Sequence, residues 1–303
     1  MTSITGTPTA LGTSQVTVTV KDTATPVATA TETFTLTVAA APPPSTNPSG
    51  ESPPAKGSVD PVTGYTYGLV DDFTGSSLNG AVWQDFYTGS NPAGNSPFEA
   101  SNGSVGNSMV TIVAGPNAPG GNGGTGFNTN NFGYFSAGHF KVRARCSLGQ
   151  GFTMCFGMIG QTISPWPPEI DFYEDAGYNG GGDTDTERQA TQATVHWGSG
   201  NNTVAADERG IDATAWHTWE LIYNGNESGS LIQYLCDGVQ WGSNQGGSIG
   251  YGNSANNLGQ PQVMFMQLED GDGAPGPTGN VKLVTMEVDW VAIEYPSSAF
   301  TAG

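Results

Sequence analysis

The chain has 303 residues, of which 27 are acidic and 8 are basic, so its formal net charge at pH 7 is −19. A surface of this sign repels nucleic acid and anionic membranes, and we expect neither as a partner. No stretch has the length of apolar sequence that a membrane-spanning helix needs. With 45 glycines and 20 prolines to supply turns, and no long segment of helical period, the composition predicts an all-β protein.

The first 40 residues contain two runs in which apolar residues alternate with threonine, at 16–20 and 34–38. Strict alternation predicts half-buried strands. The pattern resembles part of a bacterial immunoglobulin-like module, although two or three strands are too few to bury a sandwich core. We therefore interpret 1–40 as a spacer, with a carbohydrate-binding role as the alternative. A linker rich in proline, serine and glycine is predicted at 41–58.

The rest of the chain, residues 59–303, is predicted to form one large β domain. The three cysteines lie within apolar runs, so we expect buried free thiols, with a pair between Cys146 and Cys155 across a hairpin as the alternative. Asp237-Gly238 predicts a tight hairpin turn. Runs typical of strands recur at 69–73, 109–113, 134–145, 152–159, 194–198, 216–223, 233–238, 263–268 and 286–291.

One stretch interleaves three carboxylates with large apolar residues, Pro-Glu-Ile-Asp-Phe-Tyr-Glu at 168–174. Residues two apart in a strand point to the same face, so Glu169 and Asp171 share one. Glu174 lies an odd number of positions from Glu169. It reaches the same face only if one extra residue, a β-bulge near Phe172-Tyr173, restores the phase. The sequence therefore predicts a bulged strand with three acids along one wall.

Three neighbouring carboxylates are costly, because like charges at close range raise one another's pKa. Cleavage of a glycosidic bond needs such a set. One carboxylate attacks the anomeric carbon, and another, held protonated, gives its proton to the leaving oxygen. An exposed acidic strand and a calcium-binding loop are the alternatives, and the apolar Ile170, Phe172 and Tyr173 argue against both.

The spacing Glu169-x-Asp171-x-x-Glu174, preceded by Trp-Pro-Pro at 166–168, resembles the bulged active-site strand of glycoside hydrolase family 16. Later strands follow in the order of that family, so the resemblance spans about residues 65 to 296. It implies a concanavalin-like β-jelly-roll sandwich and a retaining endo-glycosidase. By resemblance, Glu169 is the nucleophile, Glu174 the acid/base and Asp171 the assisting carboxylate.

The bulged spacing is more similar to laminarinases, agarases and carrageenases than to lichenases. The resemblance thus implies an endo-β-1,3-glucanase acting on laminarin, with β-1,3-1,4-glucan and galactans such as agarose as alternatives. A lectin-like carbohydrate-binding module is the rival from another class, but it should have lost a carboxylate. We expect a monomer that needs no cofactor for catalysis. We also expect it outside the cell or on its surface, although its first residues do not resemble a signal peptide.

Further side chains are predicted to bind the substrate. Trp166 is the first choice for an aromatic platform, because the apolar face of a pyranose packs on a flat ring. The other candidates are Tyr134, Arg143, His196, Trp197 and Gln267. By resemblance, Lys141 stands where the family usually carries a sugar-contacting Glu. Asp289 matches a ligand of a structural calcium, whose shell backbone carbonyls near Asp71 and Gly106 would complete.

Overall fold

The structure is a computed structural model that describes residues 12–25, 27–38, 47–91, 94–160, 166–177, 188–198, 202–225, 231–245, 258–271, 281 and 283–303. Strands dominate these ranges, which confirms the predicted all-β class. The chain divides into two compact units, Met1–Ser45 and Thr46–Gly303. In the described ranges, no helix is long and apolar enough to cross a membrane.

The first unit contains an antiparallel pair of strands, β1 (Gly12–Lys21) and β2 (Thr29–Val38). Threonine hydroxyls hydrogen-bond across the pair, as between Thr17 and Thr33 at 3.1 Å. Apolar side chains remain exposed, with Val20 at 64% and Phe34 at 54% of full exposure. The described strands therefore bury no sandwich core, as the sequence predicts, and the immunoglobulin-like resemblance stays a prediction.

In its described residues, the second unit carries two antiparallel sheets of eight strands each. We name them the front sheet and the back sheet. The front sheet consists of β6 (Thr125–Asn128), β7 (Gly133–Phe135), β9 (Phe152–Gly160), β10 (Glu169–Asp175), β11 (Ala190–Trp197), β12 (Asn202–Arg209), β16 (Gln262–Asp270) and β18 (Phe300–Ala302). Their order is β12-β11-β10-β9-β16-β7-β18, with β6 also paired to β16. Strand β10, which carries the three acids, is therefore an interior strand.

The back sheet consists of β3 (Thr66–Asp71), β4 (Gly103–Val105), β5 (Val110–Ala114), β8 (Ala137–Cys146), β13 (His217–Asn224), β14 (Leu231–Cys236), β15 (Val239–Gln245) and β17 (Val284–Tyr295). Their order is β15-β14-β13-β8-β17-β5-β4, with β3 also paired to β17. Two short 3-10 turns, Ala100–Asn102 and Ser297–Ala299, are the helical elements of the described residues. This curled two-sheet arrangement is the predicted jelly-roll sandwich.

The core lies between the inner faces of the two sheets. Strand β9 shows how alternation builds it, because Phe152, Met154, Phe156 and Met158 are all fully buried in one cluster while the residues between them face outward. Each such side chain stabilises the fold by about 1.5–3 kcal/mol relative to exposure. The packing fixes which face of the front sheet remains available for a site.

Two local predictions are confirmed. Asp237 and Gly238, between β14 and β15, both have positive φ, 50° and 77°, as a two-residue type I′ hairpin turn requires. Cys146, Cys155 and Cys236 are all buried and none is in a disulfide, so the alternative pair between Cys146 and Cys155 is not formed.

The predicted linker at 41–58 ends earlier than expected, because residues from 47 onward belong to the second unit. The backbone N–H of Ser49 donates to Asp289 at 3.1 Å, and the Trp290 indole donates to the carbonyl of Glu51 at 3.2 Å. A segment rich in proline and serine can pack through its backbone as well as through apolar side chains. Composition alone therefore misplaced this boundary.

Candidate active site

The pairing of β10 shifts by one residue at the place where the sequence predicts a bulge. Glu169 and Asp171 pair with Ile159 and Gly157 of β9, whereas Glu174 pairs with Cys155. On the inner side, the consecutive residues Phe172 and Tyr173 are both fully buried in the core. Two successive side chains facing inward restore the phase, so that all three acids lie on the outer face of the front sheet.

The indole of Trp166 flanks the first acid, since its Nε1–H donates to Glu169 Oε2 at 2.6 Å. Trp166 is 41% exposed, and its ring centroid lies 5.2 Å from that of His196. His196 stands directly opposite Glu169 on β11. An exposed ring beside a carboxylate can pack on a sugar and at the same time orient the acid.

The middle acid, Asp171, is 4% exposed and is held from both sides. The Cys155 thiol donates to Oδ1 at 3.5 Å, and His196 Nε2 lies 3.6 Å from Oδ2. Glu169, Asp171 and His196 are close enough together to hold a metal ion. Two carboxylates and an imidazole on neighbouring interior strands can serve as an acid–base site as well as a metal site.

The surface beyond the acids is formed by β9 and β16. Gly157 lies next to Asp171, and a Cβ there would meet Asp171 Oδ1 at 2.7 Å and the Phe265 ring at 2.4 Å. Only a residue without a side chain leaves the carboxylate in place. Cys155 of β9 pairs with Glu174 on one side and with Gln267 of β16 on the other. Gln267 therefore lies on the same face of the front sheet as the acids.

Glu269 is a fourth carboxylate on that face, which the sequence analysis missed. Gln267 Nε2 donates to Glu269 Oε1 at 3.0 Å, and Glu269 is fully buried. The alternation along β16 could have predicted its position, because Gln267 and Glu269 alternate with the core residues Met266 and Leu268.

A buried ion pair anchors the end of β10 next to Glu174. Asp175 and Arg188 are 1% and 1% exposed, with Arg188 Nη1 3.7 Å from Asp175 Oδ1. The same guanidinium donates to the carbonyls of Ser147, Gly149, Phe152 and Asp175 at 2.7–3.1 Å. Burial raises the pKa of Asp175, and Arg188 opposes that rise. No short-range pattern in the sequence predicts this anchor.

Three predicted substrate-binding residues are not brought to the acids. Trp197 follows His196 on β11 and points to the opposite face, where it packs against the core. Arg143 lies on β8 of the back sheet and contacts Thr218 and Asp237. The prediction that Arg143 lies beside the acids at the substrate-binding site is therefore wrong. Tyr134, on β7 of the front sheet, has its neighbour Phe135 in the core, so it faces the same side as the acids, but two strands separate β7 from β10.

Lys141, which by resemblance stands in the place of a sugar-contacting Glu, does not lie with the acids either. Its ammonium lies on the outer face of the back sheet, 2.9 Å from Asp60 and 3.5 Å from Glu220. It pairs with these carboxylates, on a different sheet from Glu169 and Glu174.

The surroundings of Asp289 do not fit a calcium ion. Its carboxylate accepts hydrogen bonds from Asn47 Nδ2 at 3.3 Å and from both the backbone N–H and the hydroxyl of Ser49. Calcium requires oxygen ligands, and N–H donors cannot supply them. These contacts give Asp289 a structural role in fixing the segment at 47–51.

No protein-family model and no curated protein matches the chain. Solved structures do resemble it. An endo-beta-1,3-glucanase from Pyrococcus furiosus has a TM-score of 0.60 and 20% identity, covering 79% of this chain and 96% of that one. LamA from Z. galactanivorans, in complex with laminaritriose and laminaritetraose, gives 0.59 and 15%, covering 76% and 99%. A glycoside hydrolase family 16 endo-glucanase from Bacteroides ovatus gives 0.60 and 18%, covering 74% and 99%. These likenesses establish the fold.

Proposed function

We propose that the chain is a retaining endo-glycosidase that hydrolyses β-linked glucan, and that its substrate is a β-1,3-glucan of the laminarin type. The observation that carries the proposal is the bulge in β10, which sets Glu169, Asp171 and Glu174 on the outer face of an interior strand. A half-exposed Trp166 stands at the end of this row. Paired carboxylates beside an aromatic platform are what hydrolysis of a polysaccharide needs.

In the proposed first step, the carboxylate of Glu169 attacks the anomeric carbon. The bond from that carbon to the leaving oxygen breaks, and the proton of Glu174 passes to this oxygen. In the second step, a water oxygen attacks the anomeric carbon, Glu174 takes the proton of the water, and the bond to Glu169 breaks. Two displacements at one carbon retain its configuration.

Neighbouring groups support these roles. The indole N–H of Trp166 bonds to Glu169 Oε2 and so orients the carboxylate that attacks. Asp171 lies between a thiol and an imidazole, which fixes its orientation toward the two working acids. An Asp held in this way assists by its charge and position.

The choice of substrate rests on charge and on the similar structures. A chain with a net charge of −19 favours a neutral polymer over a sulfated one. Among the similar structures, one is named for cleavage of β-1,3-glucan and another holds laminari-oligosaccharides. β-1,3-1,4-Glucan is the second candidate substrate, followed by galactans.

The experiment is release of reducing sugar from laminarin, lichenan, agarose and carrageenan by the wild type and by Glu169→Gln and Glu174→Gln. We expect activity on laminarin that Glu169→Gln abolishes and that Glu174→Gln lowers by about 10²–10⁴-fold, the usual contribution of a general acid. Glu32→Gln, the same change at an exposed residue of the first unit, is the matched control. NMR of the first product should show the β-anomer.

The Glu174 variant separates the two acid roles further. An aryl glycoside with a good leaving group needs no protonation, so its first cleavage step should be nearly unchanged in Glu174→Gln and absent in Glu169→Gln. Release of no sugar from any polymer, together with retained binding to one, would refute the hydrolase and identify a lectin-like module.

A further inference from the structure

A cavity of about 750 Å³ opens on the outer face of the back sheet. The inner faces of the two sheets pack against each other across the core, so this cavity lies on the opposite side of the sandwich from Glu169. Its floor is formed by β8, β13 and β17, and Glu51, Pro54 and Val62 line one side. Cavities that bind small ligands commonly measure about 300–1,000 Å³.

The floor holds charged groups that are already paired with one another. His139 Nε2 lies 2.8 Å from Glu220, and its Nδ1 lies 2.8 Å from Glu294. Burial lowers the pKa of His139, but these two carboxylates outweigh burial and raise it above 6.5. Asp60, His139 and Glu294 are near enough to hold a metal ion. However, the Lys141 ammonium lies 2.9 Å from Asp60 and would repel a cation.

Arg143 organises polar groups that do face the cavity. Its Nη1 contacts Thr218, Asp237 and Glu51 at 3.1–3.3 Å. The side chains of Glu51 and Asp237 are 51% and 46% exposed, so their carboxylates can accept hydrogen bonds from the hydroxyls of a bound ligand.

An aromatic ring also lines the cavity. Trp216 lines the cavity and is partly exposed, with the Arg145 guanidinium 4.7 Å from its ring. A flat ring next to paired donors and acceptors is the combination that recognises a sugar, whose C–H face packs on the ring while its hydroxyls hydrogen-bond.

Charge decides among the ligand classes. Three acids, Glu51, Glu220 and Asp237, and three bases, His139, Lys141 and Arg143, line the cavity, and each base is paired with a carboxylate. An anionic ligand therefore gains little from the bases. A cation gains little either, because each of these acids already faces a basic group. A neutral polyhydroxylated ligand carries no charge to be opposed and can hydrogen-bond to both the acids and the bases.

We propose that this cavity is a second carbohydrate-binding site, which takes a short stretch of neutral glycan and does not cut it. The identity of that glycan as β-glucan rests on the proposed function. A site on the far side of the sandwich would keep the enzyme on a polymer while the front sheet cleaves another part of it, as linked binding modules do.

The test uses Glu169→Gln, which should bind laminarihexaose without cleaving it. Titration calorimetry is expected to show two sites per chain, falling to one when Trp216→Ala is added. Val62→Trp, at a position that is 71% exposed, should also remove the second site by filling the cavity. Trp166→Ala is the matched control, because it should weaken the other site. Hydrogen exchange should show ligand protection of β8.

One site per chain in Glu169→Gln, lost with Trp166→Ala and unchanged by Trp216→Ala or Val62→Trp, would overturn the second site. So would an absence of β8 protection with every polymer of the panel. Hydrolysis by the wild type without β8 protection would refute this inference alone. Protection of β8 without hydrolysis would refute the proposed function alone.

Discussion

Replacing Arg188 by methionine is expected to weaken the second unit and the strand that carries the acids. The guanidinium pairs with Asp175 at 3.7 Å and donates to four backbone carbonyls, among them that of Gly149 at 3.1 Å. Methionine fills similar volume but offers no donor. Asp175, directly after Glu174, is then left as a buried charge without a partner.

The magnitude follows from this arrangement. Removing one partner of a buried ion pair typically costs 3–5 kcal/mol. For a domain of this size, each kcal/mol corresponds to about 2–4 °C in Tm, so Arg188→Met should lower Tm by about 6–20 °C. The deficit should shrink as pH falls. Without Arg188 the pKa of Asp175 rises further, and protonation removes the unpaired charge.

Urea denaturation of wild type and variant at several pH values measures both effects. Arg145→Met is the matched control, because Arg145 pairs with Glu287 at the surface and is 42% exposed. A pair of this kind contributes about 0–1 kcal/mol. A loss below about 1 kcal/mol in Arg188→Met, equal to that in Arg145→Met, would refute the assignment of Arg188 as the anchor of β10.

Three further predictions concern the site and the back sheet. Trp166→Ala should lower kcat/KM on laminarin about tenfold, because the platform and the hydrogen bond to Glu169 are both lost. Gly157→Ala should displace Asp171 and lower kcat by more than tenfold in steady-state assays. In urea titrations, wild type should lose stability as pH rises above about 6.5 and through the raised pKa of His139, and His139→Gln should lose less.

Each of these has a specific control. Trp166→Phe keeps the ring without the N–H, so a kcat/KM equal to that of Trp166→Ala would show that packing contributes nothing. Gly106→Ala places a methyl group where nothing lies within 4 Å, and it should leave kcat unchanged. Normal activity in Gly157→Ala would contradict the close packing at Asp171. Parallel pH curves for wild type and His139→Gln would remove the histidine from the linkage.

The sequence by itself predicted much of the site, for a local reason. Side chains alternate along a strand, so Glu169 and Asp171 must share a face, and Glu174 can join them only through an extra residue. The pairing of β10 has that extra residue. Trp166, just before β10, is exposed as an aromatic platform must be, and His196 lies opposite Glu169 on β11.

Other placements required the tertiary structure. Alternation shows that two faces exist, but which face is inner and which sheet a strand joins depend on partners far away in the chain. The sequence therefore predicts Arg143 as a substrate-binding residue, although β8 belongs to the back sheet. Trp197, one residue from His196, turned out to pack against the core.

The sequence alone determined the all-β class, the row of three acids and the free cysteines, because these depend on composition and on contacts between near neighbours. Only the tertiary structure decided that residues from 47 onward pack on the back sheet, that Arg188 anchors β10, and that a cavity opens behind the sandwich. Those features join residues up to about 240 positions apart, as between Ser49 and Asp289. The alternation of residues along a strand does not predict contacts between residues so far apart in the sequence.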